Sequence, residues 1–188
     1  DTVDGGIGTR SGNWGKGVDA GLTIATDMGV TVGLYGVTRE NQTPTASTAD
    51  SNADEFNGAI YVKYSAGPVS VGISQSYLDY GAGTASAEGA TTAKVIRTAG
   101  GIFEETQMSI AFNVNDNVSV SYTESTDTYN AQDNAATAVA NVDMDSEALQ
   151  IAYSMGGMSV KAYQMETTNP AYDTDAKKLS ATEISIGL

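Results

Sequence analysis

The chain has 188 residues, no cysteine and no histidine, and 23 acidic against 9 basic side chains, a formal net charge of −14. Disulfide scaffolds, thiolate or imidazole metal sites and catalysis by Cys or His are therefore excluded, and the acidic excess disfavours nucleic acid, whose phosphates need a basic footprint. The 40% hydrophobic content is scattered singly among Ser, Thr, Gly, Ala and Asn, and no run approaches the roughly 20 residues that a membrane-spanning helix needs.

Residues 1–17, with Gly5-Gly6-Ile7-Gly8 and Ser11-Gly12-Asn13-Trp14-Gly15, read as a loop. The first predicted strand, Val18 to Asp27, sets Val18, Ala20, Leu22 and Ile24 against Asp19, Gly21, Thr23 and Ala25, the period-two pattern of a two-faced strand. It turns at Thr26-Asp27-Met28-Gly29 and returns from Val30 to Arg39. A second hairpin sets Ile60, Val62 and Tyr64 opposite Tyr61, Lys63 and Ser65, turns at Ser65-Ala66-Gly67-Pro68, and returns with Val69, Val71 and Ile73. A third pairs Met108, Ile110 and Phe112 with Val118, Val120 and Tyr122 across Asn115-Asp116-Asn117. The fourth pairs Leu149, Ile151 and Tyr153 with Met158, Val160 and Ala162 across Met155-Gly156-Gly157, and a ninth strand runs to Leu188. Every turn uses residues that tolerate positive φ or form Asx bends. After each one the same step recurs: Val30-Thr31-Val32, Val69-Ser70-Val71, Val118-Ser119-Val120, Met158-Ser159-Val160.

Between hairpins lie much longer polar segments, about 41–56, 81–105, 125–145 and 167–178. Short turns alternating with long loops are the mark of a barrel threaded through a bilayer, whereas a soluble sandwich has no reason to alternate them. Aromatic placement agrees. Tyr64, Phe112 and Tyr153 each stand on the apolar face just before a short turn, where an amphipathic ring meets the headgroup level, and Tyr77 and Tyr122 are expected at the opposite rim. Ionisable residues within the strands, Asp19, Lys63, Lys161 and Glu183, fall on the other face, as a water-lined wall requires. Nine strands, of which the first and last run in the same direction, predict the rear part of a larger barrel, because single-chain bacterial barrels have even strand counts.

Tyr64-Ser65-Ala66-Gly67-Pro68-Val69-Ser70-Val71-Gly72-Ile73-Ser74, Met155-Gly156-Gly157-Met158-Ser159-Val160-Lys161-Ala162-Tyr163 and the ending Ala181-Thr182-Glu183-Ile184-Ser185-Ile186-Gly187-Leu188 resemble the C-terminal half of Gram-negative general-diffusion porins, especially the alphaproteobacterial type. The resemblance spans Val18 to the end. It implies an all-β, antiparallel up-and-down transmembrane β-barrel of 16 strands, a homotrimer in the outer membrane, with short turns periplasmic and long loops extracellular. The implied partners are outer-membrane lipid, lipopolysaccharide and small hydrophilic solutes that diffuse passively, with no cofactor, no metal and no enzymatic activity. Two departures stand out: family members end in an aromatic residue where this chain ends in Leu188, and their constriction loop belongs to the front half.

The expected pore-lining residues are Asp19, Arg39, Lys63, Lys161 and Glu183, which shape the local field, and Tyr35, Tyr61 and Tyr163, which add bulk. Acids gather in three loops, Asp50, Asp54 and Glu55; Asp143, Asp145 and Glu147; and Asp173 with Asp175. Such oxygens can hold divalent cations against lipopolysaccharide, yet none has the spacing of a dedicated calcium loop, and solvation of exposed loops accounts for them. Two rivals differ in kind. A secreted or surface-exposed β-rich adhesin shares the Ser, Thr, Gly and acidic bias but not the alternation of loop lengths. A β-sandwich glycosidase needs paired acids, and adjacent Glu104 and Glu105 point to opposite faces of a strand, while Asp143 with Glu147 is the other candidate pair.

Overall fold

The computed structural model describes residues 14–41, 54–79, 102–130 and 140–187. They form nine strands: β1 (Trp14–Ala25), β2 (Val30–Asn41), β3 (Glu55–Ala66), β4 (Val69–Asp79), β5 (Ile102–Asn115), β6 (Val118–Asn130), β7 (Val142–Met155), β8 (Met158–Thr168) and β9 (Leu179–Gly187). All nine join one antiparallel sheet in sequence order, the up-and-down meander that the alternating apolar pattern predicts.

Local chemistry closes the four short turns. Gly29, Gly67 and Gly156 adopt φ of 83°, 55° and 60°, the left-handed region that a Cβ disfavours. The β5–β6 turn instead uses Asn115, whose Oδ1 accepts from the backbone N–H of Asn117 at 2.9 Å and of Val118 at 3.0 Å, an Asx bend. The turns also bind the next hairpin. Ser65 N–H donates to Gly29 O at 2.9 Å, Asn113 N–H to Pro68 O and Ser154 N–H to Asn117 O, both at 2.8 Å.

Strands are longer than the hydrophobic pattern alone predicts. Trp14–Gly17 begin β1 rather than ending a loop, Glu55 and Phe56 open β3, residues 102–105 open β5, residues 125–130 finish β6 and residues 142–145 open β7. Their Thr, Ser, Asp and Glu content reads as loop because both faces are polar, so the hydrophobic alternation stops before the hydrogen-bonded ladder does. The rest of the predicted opening loop, residues 1–13, and the centres of three long loops, at 42–53, 80–101 and 131–139, lie outside the described residues, as do Asp50 and Leu188.

The two faces of the sheet invert the usual rule of burial. In β4, Val69, Val71 and Ile73 are exposed while Ser70, Gly72 and Ser74 between them are half-buried. In β7, Asp143, Asp145, Glu147 and Leu149 are exposed and Val142, Met144, Ser146 and Ala148 half-buried. A curved sheet shields its concave face, so the polar residues line the inside of the curve and the apolar ones its outside. Val18 is 68% exposed and Ile184 and Ile186 each 66%, and the buried hydrophobic residues among those described are two tyrosines, Tyr129 and Tyr172. An outer face of this kind has no core to join and needs an apolar solvent.

Register shows how that outer face is arranged. One row of directly opposed residues reads Leu22, Leu34, Ile60, then Gln75, Thr106, Thr126 and Asp145. The next row toward the turns reads Ile24, Val32, Val62, Ile73, Met108, then Glu124, Glu147 and Glu166. The row after that remains apolar through Tyr64, Val71, Ile110, Tyr122 and Leu149 before reaching Gln164 and Thr182. The change from apolar to polar thus falls between β3 and β4, then β5 and β6, then β7 and β8. It drops one row for every two strands. A row is two residues, about 6.8 Å, and two strands span about 9.6 Å, so the belt crosses the ladder at about 35°. Strands of transmembrane barrels are tilted by roughly 35–45°, and a belt of constant height must then run diagonally across their hydrogen-bonded rows.

Candidate pore wall

All eight residues expected to line a pore project from the concave face. Asp19 stands opposite Val37, Tyr35 between Gly21 and Ala59, and Arg39 between Gly17 and Glu55. Tyr61 lies between Gly33 and Ser74, and Lys63 between Thr31 and Gly72. Lys161 stands between Ala152 and Ser185, and Tyr163 between Gln150 and Glu183. They make two separate groups, one on β1–β3 and one on β8–β9, with four strands between. Within the second group the Tyr163 hydroxyl donates to Glu183 Oε2 at 3.0 Å, fixing the ring across the ladder.

Two tyrosines do not add the bulk expected of them. A Cβ on Gly33 would overlap the Tyr61 ring, and one on Gly21 would sit 3.5 Å from Cδ2 of Tyr35. Both rings therefore lie against the wall over the glycine of the neighbouring strand, as aromatic residues do when they cover a gap in a sheet. Beside them Tyr61, Lys63, Ser74, Gln107 and Ser109 line a shallow open hollow in the same wall. It is floored by Gly72, Ser109 and Ala111 and carries one charged side chain, Lys63.

The five girdle aromatics all stand on the convex, apolar face, and they share its diagonal. Tyr64 lies in the row of Ile110, Phe112 one row nearer the turns, and Tyr153 one row further still. On β3, β5 and β7 this is the same descent of one row per two strands, so the three rings share one height. The upper pair does not. Tyr122 sits at the edge of the belt, where its hydroxyl donates to Glu147 Oε2 at 3.0 Å. Tyr77 stands beyond Gln75, opposite Glu104 and Gly58, with its ring 6.1 Å from Phe56. Tyr77 lies three rows above Tyr122 over two strands, where the belt drops by one, so the two rings mark different levels.

Above the belt, β5–β8 present Glu104, Glu124, Glu147, Glu166, Asp143 and Asp145 on the outer face. Thr126 and Thr128 hydroxyls donate to Asp145 Oδ1 and Asp143 Oδ1, each at 2.7 Å, so these acids belong to strands that continue into water rather than to loops. Glu55, expected in an acidic loop, instead faces inward opposite Arg39. Of the glycosidase pairs, Glu104 faces outward opposite Tyr77 and Glu105 inward opposite Asp127. Asp143 and Glu147 share the outer face four residues apart. Among the described residues no group of three or more His, Cys, Asp or Glu side chains is placed to hold a metal ion.

Sequence reasoning missed one group on the inner wall, near the loop end. Phe103 and Tyr129 oppose one another across β5 and β6, with ring centroids 4.8 Å apart, and Tyr172 from the β8–β9 connection completes the cluster. Asn169-Pro170, a turn signal, was the visible hint that this connection bends. Its partners lie dozens of residues away and had no local signal.

No family model and no curated protein matches this chain. Among solved structures it is similar to the outer-membrane expressed OmpT of Vibrio cholerae, with a TM-score of 0.52 and 18% sequence identity, over 92% of this chain and 55% of that one. The chain thus spans about half the length of the structure it matches. Together with the diagonal belt and the inverted faces, that likeness makes the fold an all-β, up-and-down sheet of the outer-membrane β-barrel kind.

Proposed function

We propose that this chain forms the wall of an outer-membrane porin, a water-filled channel through which ions and small hydrophilic solutes diffuse passively. The observation that carries the reading is the inversion of faces: an exposed apolar belt outside, and inside a wall of Ser, Thr, Gly, Gln and a few charges. Diffusion through such a pore needs only a diameter and a field. Lys63 and Lys161 supply positive charge to the wall, and Asp19 and Glu183 negative charge, with Arg39 near the loop-side mouth. No nucleophile, general base or cofactor is required.

The same reading places the protein in the outer membrane of a Gram-negative bacterium. Its short turns are periplasmic, its long loops extracellular, its barrel completed to 16 strands, and its assembly a homotrimer contacting lipid and lipopolysaccharide. The full-length protein is expected to migrate in a heat-modifiable manner, partition into detergent and give stepwise currents in planar bilayers. Solubility in plain buffer would overturn the membrane reading, and a folded, membrane-inserted protein without current at any voltage would overturn the channel.

A further inference from the structure

The ten residues between β8 and β9, 169–178, start by folding back against the sheet at Asn169–Tyr172. Asn169, Ala171 and Tyr172 take φ of 49°, 60° and 59°, a left-handed bend that turns the chain across β7. Pro170–Tyr172 form a single tight turn, and the Asn169 side-chain amide donates to Asp143 O at 2.8 Å. Tyr172 thereby reaches strands whose residues lie 45 positions earlier in the chain: its hydroxyl donates to Asp127 Oδ2 at 2.7 Å. Its ring centroid stands 5.6 Å from that of Phe103 and 5.5 Å from that of Tyr129.

These partners belong to the concave face, which is elsewhere open to water. Here alone among the described residues hydrophobic side chains are buried, Tyr129 completely and Tyr172 to 7% exposure. Asp127 Oδ1 is buried as well, with no hydrogen-bond partner, and Glu105 stands directly opposite it. Covering a carboxylate in this way is unfavourable unless the covering segment is held by something else, and the three-ring cluster is what holds it.

We propose that residues 169–178 form an inward-folded strap that narrows the loop-side mouth of the channel. Tyr172 is the positioning residue that holds it against the wall and so sets the size limit for solutes. The proposal rests on the reading of the chain as a diffusion channel. Beside the Asn169 amide, Tyr172 makes two separable contacts, its hydroxyl and its ring. Tyr172→Phe removes the hydroxyl and keeps the ring, shifting the balance between held and released strap by roughly fivefold. Tyr172→Ala removes both, leaves the Asn169 amide bond to Asp143 O as the remaining tether, and shifts the balance further toward release.

The test uses the full-length protein refolded in detergent, with heat-modifiable migration as the check on folding. Single-channel conductance in planar bilayers and the swelling of liposomes in sugars of graded size then report the pore. Expected is a rise in conductance and admission of larger sugars for Tyr172→Ala, with Tyr172→Phe between it and the wild type. Trypsin cutting at Lys177 or Lys178 should speed up in the same order. If Tyr172→Ala does not fold, Tyr172→Leu, which keeps an apolar side chain but loses the ring stacking and the hydroxyl, should exceed Tyr172→Phe in the same direction. A conducting wild type with folded variants of unchanged conductance, sugar limit and cutting rate overturns the strap and leaves the channel standing. Membrane-inserted forms that are all silent overturn the channel reading and the strap with it.

Discussion

The two ends of these strands are built on different terms. At the turn end each hairpin closes on itself through a left-handed glycine or an Asx bend, and the outer face is continuously apolar from Val69 and Phe112 to Val160 and Ile186. At the loop end the ladder runs on with the same hydrogen bonding while its outer side chains on β5–β8 become Glu, Asp and Thr, and the hydrophobic cluster buried among the described residues lies on the inside. Backbone pairing is indifferent to the surrounding solvent because the N–H and C=O groups of each of the strands β2–β8 are satisfied by its two neighbours. The side chains alone record where hydrocarbon gives way to water.

The sharpest way to break this comparison is to place the same charge at both ends of one strand. On the outer face of β6, Val120→Arg within the belt should cost roughly 2–4 kcal/mol. Thr126→Arg, above the belt and opposite Asp145, should be close to neutral. Urea unfolding from lipid vesicles reads both, and equal losses would mean that the belt does not end where the rows say it does. The turn end is probed by Gly156, whose φ of 60° leaves nothing within 4 Å of an added Cβ. Gly156→Val should therefore cost only the conformational penalty, about 1–2 kcal/mol, read in the same unfolding experiment.

Between the two ends, Gly33→Ala addresses the wall. Its new methyl displaces the Tyr61 ring, at about 0.5–1.5 kcal/mol for an off-rotamer side chain, and pushes that ring toward the lumen. A lowered single-channel conductance is the expected signature, and an unchanged one would show that the ring finds another resting place on the wall. The smallest effect is at the loop end. Thr128→Ala removes one exposed hydrogen bond to Asp143 and should stay within about 0.5 kcal/mol, so a larger loss would reveal that this region carries more of the stability than its exposure suggests.

Much of the fold was legible because alternation and turn chemistry are local. Asp27, Gly67, Asn115 and Gly156 announce the four turns, and the period of two assigns Asp19, Lys63, Lys161 and Glu183 to one face before any register is known. What could not be read depended on neighbours that only the register supplies. Glu124, Glu147 and Glu166 lie far apart in the sequence, and nothing local says that they share a row. Tyr61 looked like bulk because its ring's resting place, Gly33, belongs to another strand. Tyr172 looked like an ordinary loop residue because Phe103, Asp127 and Tyr129 are distant in the chain. Strand ends beyond the belt were missed for a different reason: once both faces are polar, a strand and a loop have the same composition.

The diagonal belt also acts on errors of assembly. Because each strand pairs only with its sequence neighbours, a slip of two residues at one hairpin keeps every side chain on its proper face, so local pairing alone cannot detect the mistake. A slip toward the turns at β6, however, shifts all later strands by one row and carries Glu124 and Glu147 down to the apolar levels of Tyr122 and Leu149, and Gln164 to that of Ala162. Two carboxylates and an amide would then have to lose their water at once. The bilayer thus proofreads the register, rejecting misaligned hairpins that the sheet itself would accept.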